Sequence, residues 1–184
     1  KHPRDGRKVA FTAPLPDDLQ RVLDALRAWR AWRGDLAPEQ RKRVDHATER
    51  AVRYLRKSQH SDGSWSPLWF GNEHAPDDAN LTFGTARVLS ALVNLPDELA
   101  PATEQAAERW LLFSQNPDGG WGESPASYVD PELRGSGPST ASQTAWALIS
   151  LLAAEEGGHK ATLKGVLYLL KTQLADGSWD EPYF

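Results

Sequence analysis

The sequence predicts an all-α protein, a segment of an α/α barrel built from two-helix repeats. Three observations lead there: a turn signature that recurs in phase, an amphipathic stretch before each copy, and a less charged helical run between copies. Self-similarity at a fixed period marks architectures in which each unit buries its apolar face against its neighbours.

The signature occurs three times. Gln59 leads to Asp62-Gly63-Ser64-Trp65, Gln115 to Asp118-Gly119-Gly120-Trp121, and Gln173 to Asp176-Gly177-Ser178-Trp179. The glutamines lie 56 and 58 residues apart, and so do the tryptophans. Glycine supplies the positive φ that a helix C-terminus commonly needs, and aspartate can bond its own neighbouring backbone. The preceding stretches have helical periodicity: Ala47, Ala51, Tyr54 and Leu55 share one face, as do Ala106, Trp110 and Leu111, and, in the third copy, Val166, Leu167 and Leu170.

A second helix also repeats. The run from Gly84-Thr85-Ala86-Arg87 to Leu92 is followed 59 residues later by the run from Gln143-Thr144-Ala145-Trp146 to Leu151. These runs are less charged, which fits an inner layer of helices beneath an outer, polar-faced one. Upstream, residues 17–32 predict one more amphipathic helix, with Leu19, Val22, Leu23, Leu26 and Trp29 on its apolar side and Asp17 or Asp18 as cap. Pro38 starts the next helix. Residues 1–16, with three prolines, are expected to form an arm, and residues 17–184 a single repeat domain.

Composition narrows the function. At 184 residues and 40% hydrophobic content the chain can bury one core. It carries 21 Lys+Arg against 25 Asp+Glu, with the basic residues spread along helices, so nucleic acid is not an expected partner. No apolar run approaches the roughly 18 residues of a spanning helix. The absence of cysteine excludes disulfides and thiolate metal sites, and no metal or other cofactor is expected. The absence of methionine suggests a processed product or a segment of a longer protein. The histidines at 2, 46, 60, 74 and 159 show no metal-ligand spacing and are expected at the surface. Asp77-Asp78, between Pro76 and Ala79-Asn80, is expected in a polar loop, while Glu123, Asp130 and Glu132 are expected as loop carboxylates or helix-end partners.

With these motifs written out, the chain resembles the triterpene cyclases, and within them the C-terminal part of squalene-hopene cyclase, whose repeated Gln-x(3 to 5)-Gly-x-Trp turn is called the QW motif. The longest resemblance runs from Gln115 through Gly119-Gly120-Trp121-Gly122-Glu123 and Ser127-Tyr128 to Gly137-Pro138-Ser139-Thr140-Ala141-Ser142-Gln143-Thr144-Ala145-Trp146-Ala147-Leu148. Asp180-Glu181-Pro182-Tyr183-Phe184 continues it. The resemblance implies that Gln59, Gly63, Trp65, Gln115, Gly119, Trp121, Gln173, Gly177 and Trp179 are scaffold that ties neighbouring outer helices together. It also maps a cavity-facing aromatic onto Trp69 and another onto Phe83, although the loop from Phe70 to Leu81 is longer than the family's and Phe83 lacks the usual tyrosine hydroxyl.

The resemblance further implies a parent protein that cyclises squalene or a related isoprenoid in hopanoid biosynthesis, an isomerase working in the cytoplasm or docked on the inner membrane face, with the remaining barrel domain as partner. The family's acid sits in an Asp-x-Asp-Asp-Thr-type motif that these residues do not contain. No catalytic residue is therefore assigned in this chain, which is expected to be inactive alone. The alternative is a non-catalytic α/α repeat module for binding or scaffolding. The β subunit of protein prenyltransferases shares the α/α barrel, but its zinc site includes cysteine.

Overall fold

The computed structural model describes residues 37–67, 80–95, 100–124, 131–133 and 135–181, with single positions at 22, 25, 26, 28, 29 and 31. Five α-helices organise the described residues: α1 (Pro38–Ser58), α2 (Leu81–Leu92), α3 (Pro101–Phe113), α4 (Ala141–Ala153) and α5 (Lys160–Thr172). The fold is all-α.

Each helix starts where its sequence offers a device for the first turn's unpaired amides. Pro38 and Pro101 open α1 and α3, where a missing N–H costs nothing. Asn80 Oδ1 accepts the Phe83 N–H of α2 at 2.9 Å, Thr140 Oγ1 the Gln143 N–H of α4 at 3.3 Å, and His159 Nδ1 the Ala161 N–H of α5 at 3.1 Å.

Burial sorts the helices into two layers. Ten of the twelve residues of α2 are buried, Arg87 and Ser90 being the others, so α2 has neighbours on nearly all sides. α5 buries only Ala161, Thr162 and Gly165. The two inner helices, α2 and α4, pack on each other, and each also receives the outer helix that follows it, α3 on α2 and α5 on α4. Leu55, Leu89, Leu92, Leu111 and Leu151 form a continuous core with Trp65 and Trp121. Each fully buried leucine contributes about 1.5–3 kcal/mol of transfer free energy.

Three expected apolar faces are only partly covered. Ala51 and Leu55 of α1 are buried, but Ala47 and Tyr54 are exposed. Trp110 and Leu111 of α3 are buried, with Ala106 partly so. On α5 the expectation is corrected: Val166, Leu167 and Leu170 are exposed, Leu167 at 63% and Leu170 at 65%. The inward side of α5 is instead its small residues, because Gly165 faces the Trp121 ring so closely that a Cβ there would lie 2.7 Å from Cζ3. Periodicity identifies a stripe but not whether a neighbour covers it. Upstream, positions 22, 25, 26, 28, 29 and 31 are helical, with Val22 and Trp29 exposed. Asp17, Asp18, Leu19, Leu23 and the arm at 1–16 lie outside the described residues, as does the Asp77-Asp78 pair.

Candidate functional site

The three signatures build the same local unit. After each outer helix the chain turns through glycine in the left-handed region, Gly63 at φ +100°, Gly119 at +94° and Gly177 at +90°. The aspartate before it, Asp62, Asp118 or Asp176, accepts the N–H two residues on, at 2.9, 3.0 and 3.0 Å. Each tryptophan folds back over its own helix and donates its indole N–H to the carbonyl ten residues earlier: Trp65 to Leu55 at 2.9 Å, Trp121 to Leu111 at 2.7 Å, Trp179 to Leu169 at 2.9 Å. Those carbonyls lie in the last turn of a helix, and at Leu55 and Leu169 the indole is a second donor beside the backbone N–H of Gln59 and Gln173.

Two of the three units are closed by a following helix. Gln59 Nε2 donates to Gly63 O and to Thr103 O in the first turn of α3, both at 2.9 Å. Gln115 Nε2 does the same to Gly119 O at 2.8 Å and to Ala161 O of α5 at 2.7 Å. Gln173 Nε2 reaches Gly177 O at 3.0 Å within its own turn. The glycines report the same difference. A Cβ on Gly63 would meet Ala106 O at 2.4 Å and one on Gly119 would meet Lys164 O at 2.8 Å, whereas nothing lies within 4 Å of one on Gly177. A threonine of the next inner helix adds a third tie: Thr85 Oγ1 accepts the Trp65 N–H at 3.1 Å, and Thr144 Oγ1 the Trp121 N–H at 2.9 Å.

The electrostatics of the turns follow from these bonds. Burial works to raise the Asp62 carboxyl, but the Ser64 amide and hydroxyl, the His60 charge and the Trp110 indole outweigh it and hold Asp62 below the ordinary aspartate value. Asp176 is held low mainly by the Ser178 hydroxyl and amide. Burial, then the neighbouring charge of Glu156, pushes Glu108 up. Among the described residues no group of three or more His, Asp or Glu could hold a metal ion.

Of the two residues mapped to a cavity, Trp69 lies outside the described residues. Phe83 sits buried in the first turn of α2 and makes an edge-to-face contact with Trp146 from α4, with centroids 4.7 Å apart and planes at 68°. The Arg87 guanidinium, one turn on, is 6.0 Å from the Phe83 centroid. Trp146 was not singled out from the sequence as a site residue. Its signal was the 59-residue register of the inner helices, which sets Trp146 and Arg87 at equivalent positions. Of the two places expected for Glu123, loop carboxylate or helix-end partner, it takes the second. It is buried, and its Oε2 accepts the N–H groups of Leu81 at 2.8 Å and Thr82 at 3.3 Å, holding the start of α2. Glu132 is exposed in a short 3-10 turn, and Asp130 lies outside the described residues.

The fold and these joints define a class: α/α repeat proteins in which a Gln/Gly/Trp turn follows each of three outer helices and, at Gln59 and Gln115, bonds the next outer helix. The profile of the squalene-hopene cyclase C-terminal domain matches residues 33–184. The chain belongs to the squalene-hopene cyclase family. It is 47% identical over 135 residues to the squalene-hopene cyclase of Bradyrhizobium diazoefficiens, covering 71% of this chain and 19% of that protein. It is 45% identical over 135 residues to the squalene-hopene cyclase of Alicyclobacillus acidocaldarius, covering 73% and 20%, and 41% identical over 153 residues to the dammaradiene synthase of Dryopteris crassirhizoma, covering 73% and 21%. The chain thus spans about a fifth of the length of these relatives.

Proposed function

We propose that these residues are the C-terminal scaffold of a cyclase acting on squalene or a related isoprenoid polyene. The observation that carries the reading is the family match across 33–184, together with the two closed joints. In the proposed reaction an acid outside these residues protonates a terminal double bond. Successive double bonds attack the resulting cation to close rings, and a final proton loss makes the whole an isomerisation. This segment's role is to hold walls of fixed shape around the folding chain. The proposed wall includes Trp69, Phe83 and Trp146, whose ring faces stabilise a carbocation without offering a nucleophile that quenches it. Arg87 shares the Phe83 ring, which leaves Trp146 the larger part of that task. A water-insoluble substrate places the protein's work at a membrane surface, here proposed as the cytoplasmic leaflet. Among the described residues no helix is long and apolar enough to cross a bilayer.

The test is incubation of the full-length protein and of the 184-residue chain with squalene, with products separated and identified by mass spectrometry. Polycyclic product is expected from the full-length protein and none from the chain above a heat-killed control. Product from the chain alone would overturn the scaffold role. No product from the full-length protein would remove the cyclase reading and leave a non-catalytic α/α binding module.

A further inference from the structure

We infer that Glu123 is a positioning residue that sets the mutual placement of the Phe83 and Trp146 rings, an inference that rests on the proposed cyclase reading for its effect on products. One residue reaches the first turn of both inner helices. Its side-chain Oε2 accepts the amides of Leu81 and Thr82, the first two residues of α2 and the two immediately before Phe83. Its backbone carbonyl accepts from Gln143 Nε2 at 3.2 Å, in the first turn of α4 and three residues before Trp146. Glu123 itself is tied down on the side of the second joint, since it follows Trp121 by two residues and Trp121 is locked by Leu111, Thr144 and Gly165.

The device is repeated. Glu181 follows Trp179 by two residues, as Glu123 follows Trp121, and its Oε1 accepts the Ser142 amide in the first turn of α4. Each of these carboxylates therefore reaches back to the inner helix of the preceding repeat, whereas Gln59 and Gln115 reach forward to the next outer helix. A carboxylate at a helix N-terminus satisfies unpaired amides and lies at the positive end of the helix dipole. Only 6% of Glu123 is exposed, so solvent does not substitute for these bonds when the side chain is removed. Releasing the start of α2 frees the turn that carries Phe83, and the 4.7 Å edge contact with Trp146 loses its fixed geometry.

Two measurements on three proteins test this: wild type, Glu123→Ala, and Glu123→Gln, whose amide oxygen can still accept from Leu81 and Thr82. Amide hydrogen exchange on the 184-residue chain reads the anchor itself. Glu123→Ala is expected to lower protection at residues 81–83 by tenfold or more, with α5 unchanged and Glu123→Gln close to wild type. Unchanged protection at 81–83 in Glu123→Ala overturns the inference. Squalene turnover by the full-length protein reads the consequence: the ratio of incompletely to fully cyclised product is expected to rise at least threefold in Glu123→Ala and to return to within twofold of wild type in Glu123→Gln. A fall in total turnover with that ratio unchanged means a merely structural residue and also overturns it. If wild-type full-length protein makes no product, the cyclase reading fails, while hydrogen exchange still decides whether Glu123 anchors α2.

Discussion

The second and third signatures differ by very little in sequence and by a great deal in environment. Asp118-Gly119-Gly120-Trp121 and Asp176-Gly177-Ser178-Trp179 make the same turn, with the same left-handed glycine and the same indole bond to the carbonyl ten residues back. Yet Trp121 is 0% exposed and Trp179 38%. The second turn is covered by Ala161, Lys164 and Gly165 of α5, and among the described residues no helix covers the third in that way. The turn is thus a local structure, made by the chain within some twenty residues, whereas the joint is tertiary and needs a second helix with a carbonyl for the glutamine and a small residue for the ring.

This comparison can be broken most directly at the tryptophans. Trp121→Ala is expected to cost about 3–5 kcal/mol, the range for emptying a buried aromatic site, while Trp179→Ala costs about 1 kcal/mol, near the net value of its one hydrogen bond. Urea unfolding midpoints at unchanged slope measure both, and equal losses would show that the third ring is covered as well as the second.

The glycines sharpen the point. Gly119→Ala and Gly177→Ala each force a side chain into the left-handed region, at about 1–2 kcal/mol. Only Gly119→Ala also drives a Cβ into the backbone of α5, adding about 1–3 kcal/mol of overpacking. The difference between the two variants in thermal or urea unfolding isolates the docking contact from the turn. Glutamine substitutions should show a smaller gap. Gln115→Ala removes two bonds and Gln173→Ala one, so the expected losses are about 2 and about 1 kcal/mol.

The smallest effect is in the pH dependence. Asp62 and Asp176 both have folded values below their unfolded ones, so the stability they contribute is complete above the unfolded value near 4 and is lost as pH falls through the folded value. Asp62→Asn is expected to flatten the acid limb of the stability curve below about pH 4 more than Asp176→Asn, because Asp62 also accepts the Trp110 indole N–H of α3 at 3.2 Å. Identical acid limbs for the two variants would remove the distinction between a bridging and a purely local aspartate.

Much of the scaffold is legible because its causes are local. The 56- and 58-residue spacing of the signatures, the proline at 38 and the glycines at 63, 119 and 177 each state a backbone requirement that neighbouring residues satisfy. What stayed hidden depends on distance. The Phe83–Trp146 pair joins residues from two helices, and the stripe of Val166, Leu167 and Leu170 looks like a core face until α5 is seen to seat its small side against Trp121. Glu123 had a readable signal in the shared Trp-x-Glu spacing with Glu181, but the partner lies 42 residues earlier, at Leu81, and no periodicity points backwards to it.

The sequence by itself determined the helical repeats, their turns and the family, because hydrophobic period, glycine conformation and short hydrogen-bonded turns act over a few residues. Only the tertiary structure decided which turns become joints, which face of α5 is covered and which carboxylate holds an inner helix. Those outcomes depend on whether a second helix supplies a carbonyl, a small residue or a free amide within about 3 Å, and bonds across forty or more residues of chain are set by packing rather than by neighbours in sequence.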